Sequence, residues 1–131
     1  MVAPMFRTPQ INLYSRDLPK SVAFYRELGF FKTFRTPAEG TPIHVELALD
    51  GFTIGIADAA SASADHGLQP GQGGRSMEIV LWTDDTDGAF ARLTAAGSRT
   101  LSPPHDWLAD LRIAWVTDPD DNPIQLVQRR T

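Results

Sequence analysis

Residues 75–96 read RSMEIVLWTDDTDGAFARLTAA, a strand running into a helix, and they repeat a pattern already present near the N-terminus. Laid on residues 10–29, Ile79 meets Ile11, Leu81 meets Leu13, Trp82 meets Tyr14 and Thr83 meets Ser15. Further along, Asp85 meets Asp17, Ala91 meets Ala23 and Gly97 meets Gly29. Two copies of such a unit in a short chain imply one domain built from two similar halves.

In the second copy Met77, Ile79 and Leu81 alternate with Glu78, Val80 and Trp82, the pattern of a half-buried strand. Acidic residues open the helix that follows, from about Asp84 to Ala96, and Gly97 stops it. Residues 100–102 read as a short strand and 103–110 as a loop. Residues 112–117 and 123–128 are the last strands, joined by the turn DPDDN.

The first copy follows the same order after a short leader at residues 1–9. Residues 10–16 alternate as a strand, Ser15 or Asp17 caps a helix, and Pro19 fits its first turn. Val22 and Tyr25, with Phe24 and Leu28, give that helix an apolar face. Residues 30–34 form an aromatic second strand. Residues 44–49 and 52–57 alternate on either side of Asp50-Gly51, a hairpin signal. The later strands overlay too: 44–50 meets 112–118 at the offset of the first strands, and 54–56 meets 124–126 after a turn two residues longer. The predicted fold is α+β within a single domain, 1–131. Two tandem βαβββ modules, 10–57 and 75–128, form a cleft-bearing, barrel-like mixed sheet, each with one covering helix. Residues 58–74, rich in Ala, Ser and Gly, read as a mobile linker.

Composition narrows the function. The chain has 131 residues, 42% hydrophobic and 21% charged, as a globular protein does. No apolar run approaches the ~20 residues of a membrane span, and no basic region precedes an apolar segment at the N-terminus. Cysteine is absent, which excludes disulfides and thiolate chemistry and fits a reducing, cytoplasmic setting. The formal charge is −4 and there is no basic stripe, so neither nucleic acid nor a membrane is an expected partner.

Alternation assigns the sheet faces. Ile11, Leu13, Val45, Leu47, Phe52 and Ile54 are expected beneath the first helix. Met77, Ile79, Leu81, Ile113, Trp115, Ile124 and Leu126 are expected beneath the second. The opposite face then carries Gln10, Asn12, Tyr14, His44, Glu46, Thr53 and Gly55 in the first half. In the second half it carries Glu78, Val80, Trp82, Arg112, Ala114, Val116, Gln125 and Val127. Closed by the two halves, that face is a cleft with aromatic walls and several polar groups, the make-up of a small-molecule site.

Two βαβββ units, with RDLPKSVAFYRELGF at 16–30 and DPDDNPIQLV at 118–127, resemble the vicinal oxygen chelate superfamily. That group holds glyoxalase I, extradiol dioxygenases, fosfomycin-resistance enzymes and bleomycin-resistance proteins. The resemblance covers nearly the whole chain and implies a cleft lined by both modules and a homodimer. Metal-using members place four ligands on the cleft face, and the matching positions here are Gln10, Gly55, Glu78 and Gln125. One carboxylate, two neutral amides and a glycine make a poor metal set, so no metal and no other cofactor is expected.

Glu78 is the candidate catalytic residue, either a general base or an anchor for a cation, against the plainer reading of a solvated carboxylate. His44 and Glu46 share a face and can pair with Arg112 or recognise a ligand. Tyr14 and Trp82 either pack together or stack on a planar ligand. Trp107 lies in a loop able to fold over the cleft mouth, with His105 beside it; His105 and His66 read as surface residues. The expected ligand-binding set is Gln10, Asn12, Tyr14, His44, Glu46, Trp82, Trp107, Arg112 and Gln125. The leading expectation is a metal-free binder of a small, aromatic or cationic molecule. The alternatives are a metal-dependent lyase or dioxygenase with an altered ligand set, or a metal-free lyase or isomerase with Glu78 as base.

Overall fold

A capped helix lying between the first two strands of a four-stranded sheet recurs in both halves of the chain. The computed structural model describes residues 5, 8, 10–71 and 77–131. Most of the expected leader, part of the linker, and Arg75 and Ser76 of the repeated stretch lie outside the described residues. The chain divides into two compact units, Met1–Pro70 and Gly71–Thr131.

The first unit runs β1 (Ile11–Ser15), α1 (Leu18–Glu27), β2 (Phe31–Thr36), β3 (His44–Leu49), β4 (Phe52–Asp58) and α2 (Ala59–His66). Its sheet order is β1-β4-β3-β2, with β1 parallel to β4 and the other pairs antiparallel. Asp17 caps α1 by accepting from the Lys20 amide at 3.2 Å. Leu18, Ser21 and Tyr25 then recur at helical spacing and are buried against the sheet. Tyr25, Leu47, Ile54 and Ile56 are all but fully buried, and Tyr25 takes Phe30 edge-on at 5.6 Å. Phe30, read from sequence as the start of the aromatic second strand, stands just before β2 and is core. Asp50 and Gly51 close the β3–β4 hairpin with positive φ, 51° and 81°, as a two-residue turn demands.

The expected linker contains an unexpected helix. In α2 the Asp58 carboxylate accepts from the Ser61 amide at 3.0 Å and the Ser61 hydroxyl at 2.7 Å, and Gly67 ends the helix at φ 69°. Small residues give α2 almost no apolar period, which is why hydrophobic spacing passes it over. Its signal lies in the caps.

The second unit runs β5 (Ile79–Trp82), α3 (Thr86–Ala95), β6 (Thr100–Trp107), β7 (Leu111–Thr117) and β8 (Pro123–Arg129), with sheet order β5-β8-β7-β6. Asp85 caps α3 through the Gly88 amide at 2.9 Å. Buried Thr86 fixes the helix start to the sheet: its hydroxyl donates to the Arg112 carbonyl and its amide to Gln128 Oε1. β6 is eight residues long, not the short strand plus loop expected, and it includes Pro103 and Pro104. An edge strand tolerates proline, and the register slips between Thr100 and Ser102 and again between Ser102 and His105. Trp107 accordingly ends a strand, paired with Leu111, instead of sitting in a loop.

The faces of the first unit match the alternation, since Val45 pairs with Ile56 and Leu47 with Ile54, while His44 pairs with Ala57 and Glu46 with Gly55. In β7 they are reversed. Trp115 pairs with Gln125 and Ile113 with Val127, which puts Ile113 and Trp115 on the face away from α3. Ala114, Val116 and Arg112 lie on the helix side. The equivalent of Glu46 is therefore Trp115, one residue off the sequence overlay, and a one-residue slip exchanges every side chain between faces. Phe52, the first residue of β4, and Met77, two residues before β5, both expected beneath the helices, remain exposed.

Candidate functional site

On the open face of the first sheet, four polar side chains converge on Gly55. Gln10 Nε2 donates to Asn12 Oδ1 at 2.8 Å and to Glu46 Oε2 at 3.4 Å. His44 Nε2 lies 3.1 Å from that same Glu46 oxygen. Strand geometry explains the cluster: Asn12 and Glu46 both pair with Gly55 from the flanking strands, and His44 sits two residues from Glu46 on the same face. Gly55 is buried by its neighbours. A Cβ there would collide with Asn12 Oδ1 and come within 2.8 Å of His44 Cε1 and 2.9 Å of Gln10 Nε2.

The sheet face continues from His44 into an open cavity of about 270 Å³. Asn12, Tyr14 and His44 line it from the sheet, and Asp58, Asp65 and His66 line it at α2. Among the described residues its lining holds the Asp58 and Asp65 carboxylates, the His44 and His66 imidazoles and the Tyr14 phenol, and neither lysine nor arginine. Asp58 is committed to capping α2, whereas Asp65 stands on the helix's last turn. Of the predicted site residues, the structure thus brings Gln10, Asn12, Tyr14, His44 and Glu46 together. Asp58, Asp65 and His66 were missed because α2 was missed. The pattern of Asp58 before an alanine-rich run and Gly67 after it was the available signal.

In the second unit, Glu78 accepts the indole N–H of Trp115 at 2.7 Å. His105 stacks on Trp115 with centroids 6.3 Å apart. Trp82 is exposed, with the Arg129 guanidinium 5.5 Å over its ring. Trp82, Gln125 and Trp107 share the face away from α3 with Trp115. Arg112 does not join them: it lies on the α3 side of its sheet, which corrects its expected place on the cleft face. Its guanidinium donates to both oxygens of Asp87 on α3, at 2.9 and 3.2 Å, and to Asp106 at 3.1 Å. The hydrogen bond from Arg112 holds the Asp87 carboxyl below its ordinary range, and Asp87 and Asp106 in turn push the guanidinium up.

The four positions that correspond to metal ligands do not fit a divalent ion. Gly55 offers no donor, and the space a side chain would need is filled by Asn12, His44 and Gln10. Gln10 and Gln125 are neutral amides, and Glu78 already receives an indole N–H. Among the described residues no cluster of three or more His, Cys, Asp or Glu could hold a metal ion, and no helix is long and apolar enough to cross a membrane.

The sequence model of the Glyoxalase/Bleomycin resistance protein/Dioxygenase superfamily matches residues 7–126. No curated protein matches the chain. Among solved structures, a hypothetical protein from S. aureus is similar at 20% identity with a TM-score of 0.80, covering 95% of each chain. A glyoxalase/bleomycin resistance protein/dioxygenase superfamily member from Sphaerobacter thermophilus is 26% identical with a TM-score of 0.70, covering 95% of this chain and 98% of its own. A lactoylglutathione lyase from Agrobacterium tumefaciens is 19% identical with a TM-score of 0.66, covering 96% of each chain.

Proposed function

We propose a function from one premise: the chain belongs to the glyoxalase/bleomycin resistance protein/dioxygenase superfamily. The function is to hold a small, cationic and partly aromatic molecule, without a metal, in the cavity of the first unit. The observation that carries this reading is the cavity wall. Tyr14 offers an exposed ring, Asp65 a carboxylate, and among the described residues no lysine or arginine lines the cavity. At about 270 Å³ the space lies just below the usual range of small-molecule sites and suits a compact ligand. An anion would meet two carboxylates of like charge, Asp58 and Asp65.

Titration with proflavine, a planar aromatic cation, tests the reading. Binding is expected, and Asp65→Asn and Tyr14→Ala are each expected to weaken it about tenfold, equivalent to ~1.4 kcal/mol. Equal affinity for fluorescein, a planar anion, would sink it.

A second reading, proton abstraction by Glu78, is favoured by the Trp115 contact, which orients one carboxylate oxygen. Incubation with lactoylglutathione in heavy water tests it. Exchange of the lactoyl C–H by wild type but not by Glu78→Gln supports the base, and no exchange by wild type removes it. Homodimer formation belongs to the same set of proposals. Phe31 and Phe34 stand exposed on edge strand β2, and the solution mass from light scattering tests it.

A further inference from the structure

We propose that Glu46, His44 and Gly55 together select ligands by their hydrogen-bond donors, so that the preferred cation carries its charge on N–H groups and not on fully alkylated nitrogen. This rests on the cavity being the binding site, as above. Glu46 Oε2 lies 3.1 Å from His44 Nε2. An ionised carboxylate only accepts, and the shared proton is accordingly assigned to Nε2. In the neutral ring Nδ1 then carries the lone pair and can only accept.

His44 is a wall of the cavity, and in the proposed arrangement the ring presents its Nδ1 acceptor to whatever binds there. Asp65 adds a second acceptor on the facing helix. A ligand N–H satisfies such a wall, whereas an N-methyl group leaves its acceptors dehydrated and unpaired.

Gly55 makes the arrangement sterically possible. His44 Cε1 lies over the glycine, within 2.8 Å of where a Cβ would stand. Any side chain at 55 must push the imidazole aside from this position. Gln10 supports the carboxylate from the other side by donating to the same Oε2 at 3.4 Å. Phe34 lies beside the ring, with its centroid 6.4 Å from that of His44.

Two measurements test the selection. The first is a long-range proton–nitrogen spectrum of the ligand-free protein at about pH 8, above the ordinary imidazole range. His44, assigned by its loss in His44→Gln, is expected as the Nε2–H tautomer, with a mixture in Glu46→Ala; the Nδ1–H tautomer in wild type overturns the proposal. The second is absorbance titration with proflavine, whose amino groups donate, against methylene blue, a planar cation lacking N–H donors. Wild type is expected to favour proflavine at least about tenfold, and Glu46→Ala to lose the preference. Equal affinity for both dyes overturns the selection alone, while binding of neither overturns the proposed function and the selection with it. If Glu46→Ala does not fold, the wild-type tautomer and dye preference still decide.

Discussion

Trp115 donates its indole N–H to Glu78 across 2.7 Å, bridging over β8 from β7 to the residue before β5. Glu78 is exposed, so solvent screens the contact and its worth is about 1 kcal/mol, below the usual range for bonds to charged groups. Trp115→Phe keeps an aromatic ring against His105 and removes the donor. Urea denaturation of Trp115→Phe, Glu78→Ala and the double variant is expected to give a coupling of about 0.5–1 kcal/mol. A coupling indistinguishable from zero would show that the two side chains do not interact in solution.

Gly55→Ala separates binding from stability. Alanine is the better strand residue by roughly 0.5–1 kcal/mol. Against that gain, Asn12, His44 and Gln10 must all shift, though these side chains reach solvent and can rehydrate. The two effects nearly cancel, and the net loss of stability is expected to stay below about 1 kcal/mol. Proflavine affinity is expected to fall about tenfold, because the displaced imidazole no longer forms the wall. Thermal unfolding and dye titration on one preparation check both halves; unchanged affinity contradicts the role given to Gly55.

The parts of the fold that could be read from sequence were those where alternation is clean. His44 to Leu49 alternates polar and apolar, and its face follows directly. In β7 the run Ile113, Ala114, Trp115, Val116 is apolar on both faces, so neither hydrophobicity nor the overlay of His44 on Arg112 fixes its register. Only the ladder with β8 does. β6 was hidden by Pro103 and Pro104, which read as a loop unless the strand is known to lie at an edge. The cavity was hidden for a different reason. Its second wall is a helix of small residues held by caps, and the sheet residues Asn12, Tyr14 and His44 could be named without knowing what they face.

Asp87 gives the chain a pH-dependent element. The Arg112 guanidinium lowers the folded pKa of Asp87, while in the unfolded chain the carboxyl returns to the ordinary value of ~4. A depressed carboxylate contributes stability that is complete above the unfolded value and is lost as pH falls through the folded one. Asp87→Asn is therefore expected to be less stable than wild type at pH ~7, with the gap closing as the pH drops below ~4. Denaturation midpoints across that range measure it. A gap that stays constant with pH assigns the loss to something other than the ion pair.

Asp58→Ala tests whether α2 is a wall of the site or only a connection. The Asp58 carboxylate accepts from both the amide and the hydroxyl of Ser61, and the helix it starts has only eight residues. So short a helix is marginal without its cap, and only Ala62 is buried along it. Removing the cap costs about 1 kcal/mol, and that loss falls on α2 and not on the core of Tyr25, Leu47 and Ile54. Local opening carries Asp65 and His66 out of the cavity. Proflavine affinity is expected to drop about three- to tenfold while the global melting temperature moves by only a few degrees. Amide exchange locates the effect: protection at residues 59–66 is expected to fall with β3 and β4 unchanged. Weakened α2 protection with undiminished dye affinity would show that the helix is not part of the site.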